Sequence, residues 1–295
     1  MPVETSRRSR LAAQFAVAAD QVVPVSGGSS PAFKIHKGSN PLFIKWLPDE
    51  AAAAAEADGL SALAGGAFRV PQVTAIRSFD DGAALILEWL PLAPLLPEHR
   101  PALVAALREM HERGRGQPYG WGCDNRIGPA RQLNHQDAHW GEFFSRQRLQ
   151  PQLSWARDLP ADLGTALSRV VNDCASLLPP NPPPALLHGD LWRGNLAWCE
   201  GRPALYDPAV YVGDAQVDLA MLKLFGEPVP GLVGAYRAAC AGGPVAPDWP
   251  LRERVYDLYH LLNHYNLFGN GWLTALAACC RTLTEGSTAT HEGGC

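Results

Sequence analysis

No apolar run in this 295-residue chain reaches the roughly 18 residues that a membrane span requires. No membrane partner is therefore expected. The opening stretch MPVETSRRSRLAAQF carries Arg7, Arg8 and Arg10 but no long apolar segment, so a signal peptide is not expected either. A basic surplus is also missing. Lys and Arg number 25 against 29 Asp and Glu, a net charge of −4, which gives nucleic acid no electrostatic footprint. The 7 cysteines are odd in number and show no CxxC spacing. That excludes a disulfide framework and a zinc site and points to a reducing cytoplasm. No repeat of roughly 20–50 residues recurs, and the phosphate-binding pattern GxxxxGK[ST] is absent. What the chain does have is 47% hydrophobic residues, enough for a sizeable core, with 28 glycines and 26 prolines as punctuation.

The first 90 residues and the rest read differently. Residues 8–20 have helical periodicity. QVVPVS is a short β-rich run, and AFKIH and LFIKW, joined by the turn KGSN, make a hairpin. The alanine-rich stretch Asp49–Leu63 has high helix propensity with acidic residues in its first turn. Pro71–Ile76 and Ala83–Trp89 read as strands around a DDG turn. The pattern is β-β-α-β-β, a small sheet carrying one helix. Beyond Pro91 helices dominate, over Pro101–Arg113, His139–Leu149, Ala161–Leu178, Asp218–Leu224, Gly231–Ala241 and Leu251–Leu267. Two short strands, Ala185–His188 and Ala204–Asp207, interrupt them after the connector LLPPNPPP. The boundaries are an N-terminal lobe at 1–90, a C-terminal lobe at 91–285 and a mobile polar tail at 286–295.

The chemistry concentrates in Leu186–Phe225. His188, Asp190 and Asn195 lie on a loop after an apolar run, and Asp207 follows a second apolar run twelve residues beyond Asn195. Phosphoryl transfer from ATP needs a carboxylate for the acceptor hydroxyl and oxygen ligands for Mg²⁺. HGDxxxxN followed by a strand and Asp supplies both. The Asp190–Asn195 interval matches the protein-kinase catalytic loop. A lone HGD would be read as capping and turn chemistry; the whole set is not.

The N-terminal region adds parts. Lys45, flanked by apolar residues on a strand, suits the α- and β-phosphates, and Glu56 on the next helix would orient it. The loop SGGSSP, with Gly27 and Gly28, offers backbone N–H groups to phosphate, although two adjacent glycines also make an ordinary turn. LILEWL runs into Pro91. There Glu88, Trp89 and Leu90 either present a backbone edge to adenine or form a buried edge strand.

These segments resemble the fructosamine-kinase family within the aminoglycoside-phosphotransferase and protein-kinase-like superfamily. The resemblance is carried by LLHGDLWRGN, YDPAVYVGDAQVDLAM, YGWGCDNRIG, WGEFFSRQRLQPQL and YDLYHLLNHYNLFGNGW, in the family's order, from about Val22 to Trp272. It implies an α+β, two-lobed protein-kinase-like fold, with a small antiparallel-sheet lobe bearing one helix and a larger, mainly helical lobe. It also implies ATP- and Mg²⁺-dependent phosphorylation of the 3-hydroxyl of a fructosamine or ribulosamine, a step in deglycation. By this resemblance Asp190 is the catalytic base or the residue that orients the hydroxyl, Asn195 and Asp207 hold the metal, and Lys45 contacts phosphate. Glu56 orients Lys45, and Glu88–Leu90 form the adenine hinge. Trp192 either packs on the sugar ring or wedges beneath the loop. Asn263, His264 and Asn266 either line the acceptor pocket or tie the last helix to the lobe. His188 is expected to brace the catalytic loop, and Asp218 to accept its backbone N–H groups. Pro31 in the glycine loop departs from the family, and Pro208 after the metal-site Asp argues against a mobile activation switch.

The reading is a cytoplasmic small-molecule kinase acting as a monomer on a small-molecule or protein-bound ketosamine. Its rivals are a phosphotransferase of the same fold for an aminoglycoside or amino alcohol, and a catalytically silent nucleotide-binding protein.

Overall fold

The computed structural model describes residues 2–28, 30–36, 40–240 and 249–292. Five antiparallel strands, β1 (Val22–Val25), β2 (Ala32–Ile35), β3 (Leu42–Leu47), β4 (Val73–Phe79) and β5 (Gly82–Glu88), form one sheet in the order β1-β2-β3-β5-β4. Side chains alternate between its two faces, as the period of two requires. Ile44, Trp46, Ala84 and Ile86 pack with Leu11 and Ala12 of helix α1 (Pro2–Phe15). Leu47, Ala83, Leu85 and Leu87 pack with Ala52, Ala53 and Leu60 of helix α2 (Glu50–Leu63). The sheet is therefore covered on both faces. The helix read near 8–20 and the β-rich run QVVPVS supply the second helix and the fifth strand, which the β-β-α-β-β pattern leaves out. The N-terminal helix starts and stops earlier than its periodicity predicts, because Ala16 adopts φ 52° and ends it.

Helix α2 forms where the alanines predict it. Asp49 caps it, its carboxylate accepting the Ala52 N–H at 2.7 Å. The β2–β3 hairpin sets Ala32 opposite Lys45, and β3 pairs with β5 so that Lys45 faces Leu85. The tip of that hairpin, Lys37–Ser39, lies outside the described residues, as does Ser29.

The remainder is mainly helical. Helix α3 (Arg100–Glu112) is followed by a short hairpin that the sequence did not announce, β6 (Asn125–Ile127) and β7 (Ala130–Gln132). Helices α4 (Trp140–Phe143) and α5 (Gln150–Trp155) are joined by one wide π-helical turn, Phe144–Leu149. Helix α6 (Ala161–Leu177) leads to four short strands, β8 (Pro184–Leu187), β9 (Leu196–Cys199), β10 (Arg202–Leu205) and β11 (Tyr211–Asp214). They pair as β8–β11 and β9–β10. Helices α7 (Gln216–Leu224), α8 (Leu232–Ala239), α9 (Trp249–Phe268) and α10 (Leu273–Glu292) complete the chain. Helix α10 continues into the stretch expected as a mobile tail at 286–295, whose side chains lie outside those described. The core of this part surrounds Trp140, Phe143, Phe144, Tyr256 and Tyr259, all buried.

The two parts are stitched by backbone bridges. Arg69 N–H donates to the Pro203 carbonyl at 2.7 Å, and the Leu205 N–H donates to the Arg69 carbonyl at 3.0 Å. The pairs β8–β11 and β9–β10 bracket two loops, 188–195 and 206–210, and hold both against the sheet. Cys123, Cys174, Cys199, Cys240, Cys279 and Cys280 are all free thiols. Among the described residues no helix is long and apolar enough to cross a membrane.

Candidate active site

Lys45 is 9% exposed in the middle of β3. Its ammonium bonds both carboxylate oxygens of Glu56, at 2.9 and 2.7 Å, and Oδ1 of Asp207 at 3.2 Å. Three elements distant in sequence thus meet on one nitrogen. Burial alone would lower the pKa of Lys45, but the two carboxylates outweigh it and the net shift is upward. Lys45 is therefore a fixed positive charge.

The loop between β8 and β9 is held from behind. Asp218, 1% exposed at the start of α7, accepts the backbone N–H groups of His188 and Gly189 at 2.9 and 3.0 Å. His188 bonds the Tyr206 carbonyl through Nε2 at 3.1 Å, and its Nδ1 accepts the Asp190 N–H at 3.3 Å. Burial lowers the His188 pKa, which keeps the ring neutral. His111 Nε2 lies 3.3 Å from Asp218, and its Nδ1 lies 2.7 Å from the Tyr236 hydroxyl. A buried chain therefore runs from α8 through α3 to the loop.

Asn195 directs its amide N–H groups to the Asp190 carbonyl at 2.9 Å, to Asp190 Oδ2 at 3.2 Å and to the Asp207 carbonyl at 3.4 Å. Asp190, Asn195 and Asp207 consequently sit on one wall. Asp190 keeps an edge open to the cleft while protein surrounds the rest. Burial first, and then the negative Asp207, raise its pKa to about 7. Glu56 is shifted upward too, again mainly by burial. Glu56 and Asp207 thus share one ammonium, and Asp190 stands on the same wall as Asp207. Hard oxygen donors with a surplus of negative charge fit a small divalent cation. Among the described residues, no three His, Cys, Asp or Glu side chains converge on one point.

These residues line one cleft of about 920 Å³ between the sheet and the helical part. Lys45, Glu56, Gly27, Gly28, Glu88, Trp89, Leu90, Asp190, Trp192, Asn195, Asp207, Asn263 and His264 all border it. Gly27 has φ 112°. Trp192 folds over Gly194, where an added Cβ would come within 2.2 Å of the ring. The indole therefore lies over the loop's own backbone with its free side toward the cleft. Asn266 is not brought to the cleft. Its amide donates to Gln152 at 2.8 Å (carbonyl) and 2.7 Å (Oε1), tying α9 to α5.

Sequence reasoning missed several contributors. Arg69 pairs with Glu88 at the end of β5 and with Glu200 at 3.0 Å. The β6–β7 hairpin reaches the Asp207 loop through Asn125, which donates to the Val210 carbonyl at 2.7 Å, and Gln132, which donates to the Ala209 carbonyl at 2.9 Å. Arg148, fully buried, holds Asn134 at 2.8 Å and stacks 3.9 Å from the Tyr211 ring. Phe225 and Trp272 border the cleft from the α7 and α9 side. Asn125 lies in the segment YGWGCDNRIG, but nothing in the letters says which of its residues turns inward.

Residues 3–285 match the model of the fructosamine kinase family. A probable ketoamine kinase of Synechocystis is 38% identical over 221 residues, 74% of each chain. The crystal structure of a fructosamine-3-kinase candidate from Thermobifida fusca superposes with a TM-score of 0.78 at 30% identity, covering 95% of this chain and 99% of that one. An aminoglycoside phosphotransferase, APH(4)-Ia, crystallised with AMP-PNP and hygromycin B, shares the fold at a TM-score of 0.66 and 16% identity, over 95% and 98% of the two chains. The architecture is kinase-like. A five-stranded sheet above a helical body, a match running almost end to end and relatives of this kind lead to one conclusion: the chain belongs to the fructosamine kinase family, phosphotransferases that act on a sugar hydroxyl.

Proposed function

We propose that this protein is an ATP- and Mg²⁺-dependent ketosamine kinase that phosphorylates the 3-hydroxyl of a fructosamine or ribulosamine. The single observation that carries this reading is the meeting of Lys45, Glu56, Asp190, Asn195 and Asp207 in one cleft. Phosphorylation would destabilise the glycated adduct and release the amine, so the role is deglycation in the cytoplasm.

In mechanism, Asp190 would orient the acceptor hydroxyl toward the γ-phosphate and take its proton as the new P–O bond forms and the bond from the γ-phosphorus to the β,γ-bridging oxygen breaks, with ADP as the leaving group. Asn195 Nδ2 fixes the Asp190 carboxylate, so the attacking direction is set before the acceptor arrives. Lys45, pinned by Glu56, neutralises charge on the phosphates. Gly27 and Gly28 would cover those phosphates with backbone N–H groups, and Glu88, Trp89 and Leu90 would take the adenine edge. Asn195 and Asp207 would hold Mg²⁺, which would supply positive charge against the phosphates. Trp192 and His264, which border the same cleft, would face the sugar.

The test is a phosphorylation assay on a fructosamine, a ribulosamine, an aminoglycoside and an amino alcohol, with the modified hydroxyl mapped in the product. Transfer to the ketosamine 3-hydroxyl is expected. Transfer only to the other acceptors, or no transfer to any, would overturn the reading.

A further inference from the structure

The cleft has two ends of different chemistry. Its carboxylates, Glu56, Glu88, Asp190 and Asp207, come from the sheet side and the two loops. The opposite end is built by the C-terminus of α7, the C-terminus of α9 and the turn Gly269–Trp272, and there the lining is aromatic. His264 stacks on Phe225 at 4.7 Å and contacts Trp272 at 4.5 Å and Phe268 at 5.5 Å. Phe225 and Trp272 meet edge-on at 5.9 Å.

Three features separate this shelf from ordinary core. Phe268 is 63% exposed although it is a large apolar ring. It borders the same cleft as Asp190. Among the described residues no carboxylate joins the shelf: Glu227, the acid nearest to Phe225 in sequence, is occupied by the Gly231 and Val233 N–H groups at 2.6 and 3.1 Å. His264 is kept neutral, because burial lowers its pKa and its Nδ1 is engaged with the His260 carbonyl at 2.8 Å. An uncharged aromatic surface open to the cleft gains most by covering an apolar, flat group. It offers no counter-ion to an ammonium or a carboxylate.

We propose that this shelf, built from Phe225, His264, Phe268 and Trp272, receives the nitrogen substituent of the ketosamine and selects adducts of aromatic or apolar amines. The inference rests on the ketosamine reading and deepens it by naming the amine.

The experiment uses the full chain and 1-amino-1-deoxyfructoses carrying N-benzyl, N-methyl, N-carboxymethyl or ε-lysyl substituents. Calorimetry gives their affinities, and a coupled assay gives kcat/KM. The N-benzyl compound is expected to exceed the N-methyl one by about tenfold in both, since ring contacts of this kind contribute about one order of magnitude. Phe268→Ala should bring that ratio close to one, and Phe268→Tyr should restore it. Trp272→Phe, which retains a ring, should lower the ratio less than Phe268→Ala. Turnover of all four compounds at equal efficiency, or a ratio untouched by Phe268→Ala, would overturn the shelf and leave the kinase reading standing. Preferred binding of the benzyl compound without transfer to any of the four would do the reverse. Failure to bind any of them would remove both.

Discussion

Asp190 shows what one side chain gains from its surroundings. Burial and the neighbouring Asp207 raise its pKa to about 7, so it is closer to a useful proton acceptor than an exposed aspartate. Asp190→Asn is expected to lower kcat by about 10²–10⁴-fold with nucleotide affinity retained. Single-turnover kinetics beside nucleotide titration would show it, and full transfer by the variant would remove Asp190 from its role. Gly189 is as tightly constrained. It has φ +78°, and a Cβ there would lie 2.0 Å from the Ala209 carbonyl oxygen. Gly189→Ala must therefore displace the Asp207 loop, and both the melting temperature and kcat are expected to fall. His260 carries a stability signature. It is fully buried on α9, and neither ring nitrogen has a hydrogen-bond partner among the described residues. Burial lowers its pKa to about 3, below the unfolded value of about 6.5. The unfolded chain therefore binds the proton first as pH falls. Stability is unaffected above about pH 6.5 and declines from there toward pH 3. His260→Leu should flatten that decline relative to wild type in urea titrations at pH 7 and pH 4.5; identical slopes would contradict it.

At the scale of elements, the central one is α2. It carries Glu56, and its position decides whether Lys45 is oriented. The helical part reaches it directly, because the Trp121 indole N–H donates to Asp58 at 2.6 Å. Gly59 also lies close against the Asp207 loop, where an added Cβ would be 3.3 Å from Val210. Trp121→Phe keeps the ring and removes the bond. A loss of about 1 kcal/mol predicts a drop in kcat/KM for nucleotide of about fivefold, recovered in part by Trp121→His. An unchanged value would mean that α2 needs no such tether. The elements were legible to different degrees. Helix α2 could be read from its alanines and Asp49, and the β2–β3 hairpin from two apolar runs around a turn. The β6–β7 hairpin could not, since three-residue strands carry no periodicity and theirs are fixed by distant carbonyls. The first helix was displaced because its end is set by Ala16, a residue with no helix-stopping signature. That Asp190, Asn195 and Asp207 meet was legible from HGDxxxxN and the strand before Asp207, and the structure brings the three to one wall of the cleft. Arg69, Arg148 and Gln132 were not, because their partners lie far away in sequence.

Across the whole molecule, the sheet and the helical body are joined at the base of the cleft by Arg69, which binds Glu88 on one side and Glu200 on the other. Its pKa is shifted upward, first by the bond to Glu88. Arg69→Ala is expected to raise the KM for nucleotide more than it lowers kcat, because Glu88 closes the sheet end of the cleft. Initial-rate kinetics over nucleotide concentration would separate the two. Equal effects on both parameters would show instead that Arg69 serves only overall stability.

Helix α2 is stapled to the opposite half by Trp121, by the close approach of Gly59 to Val210 and by the Lys45–Glu56–Asp207 trio. Swinging it outward would break the Trp121–Asp58 and Lys45–Asp207 links at once, so any opening of the cleft must carry sheet and helix together as one piece.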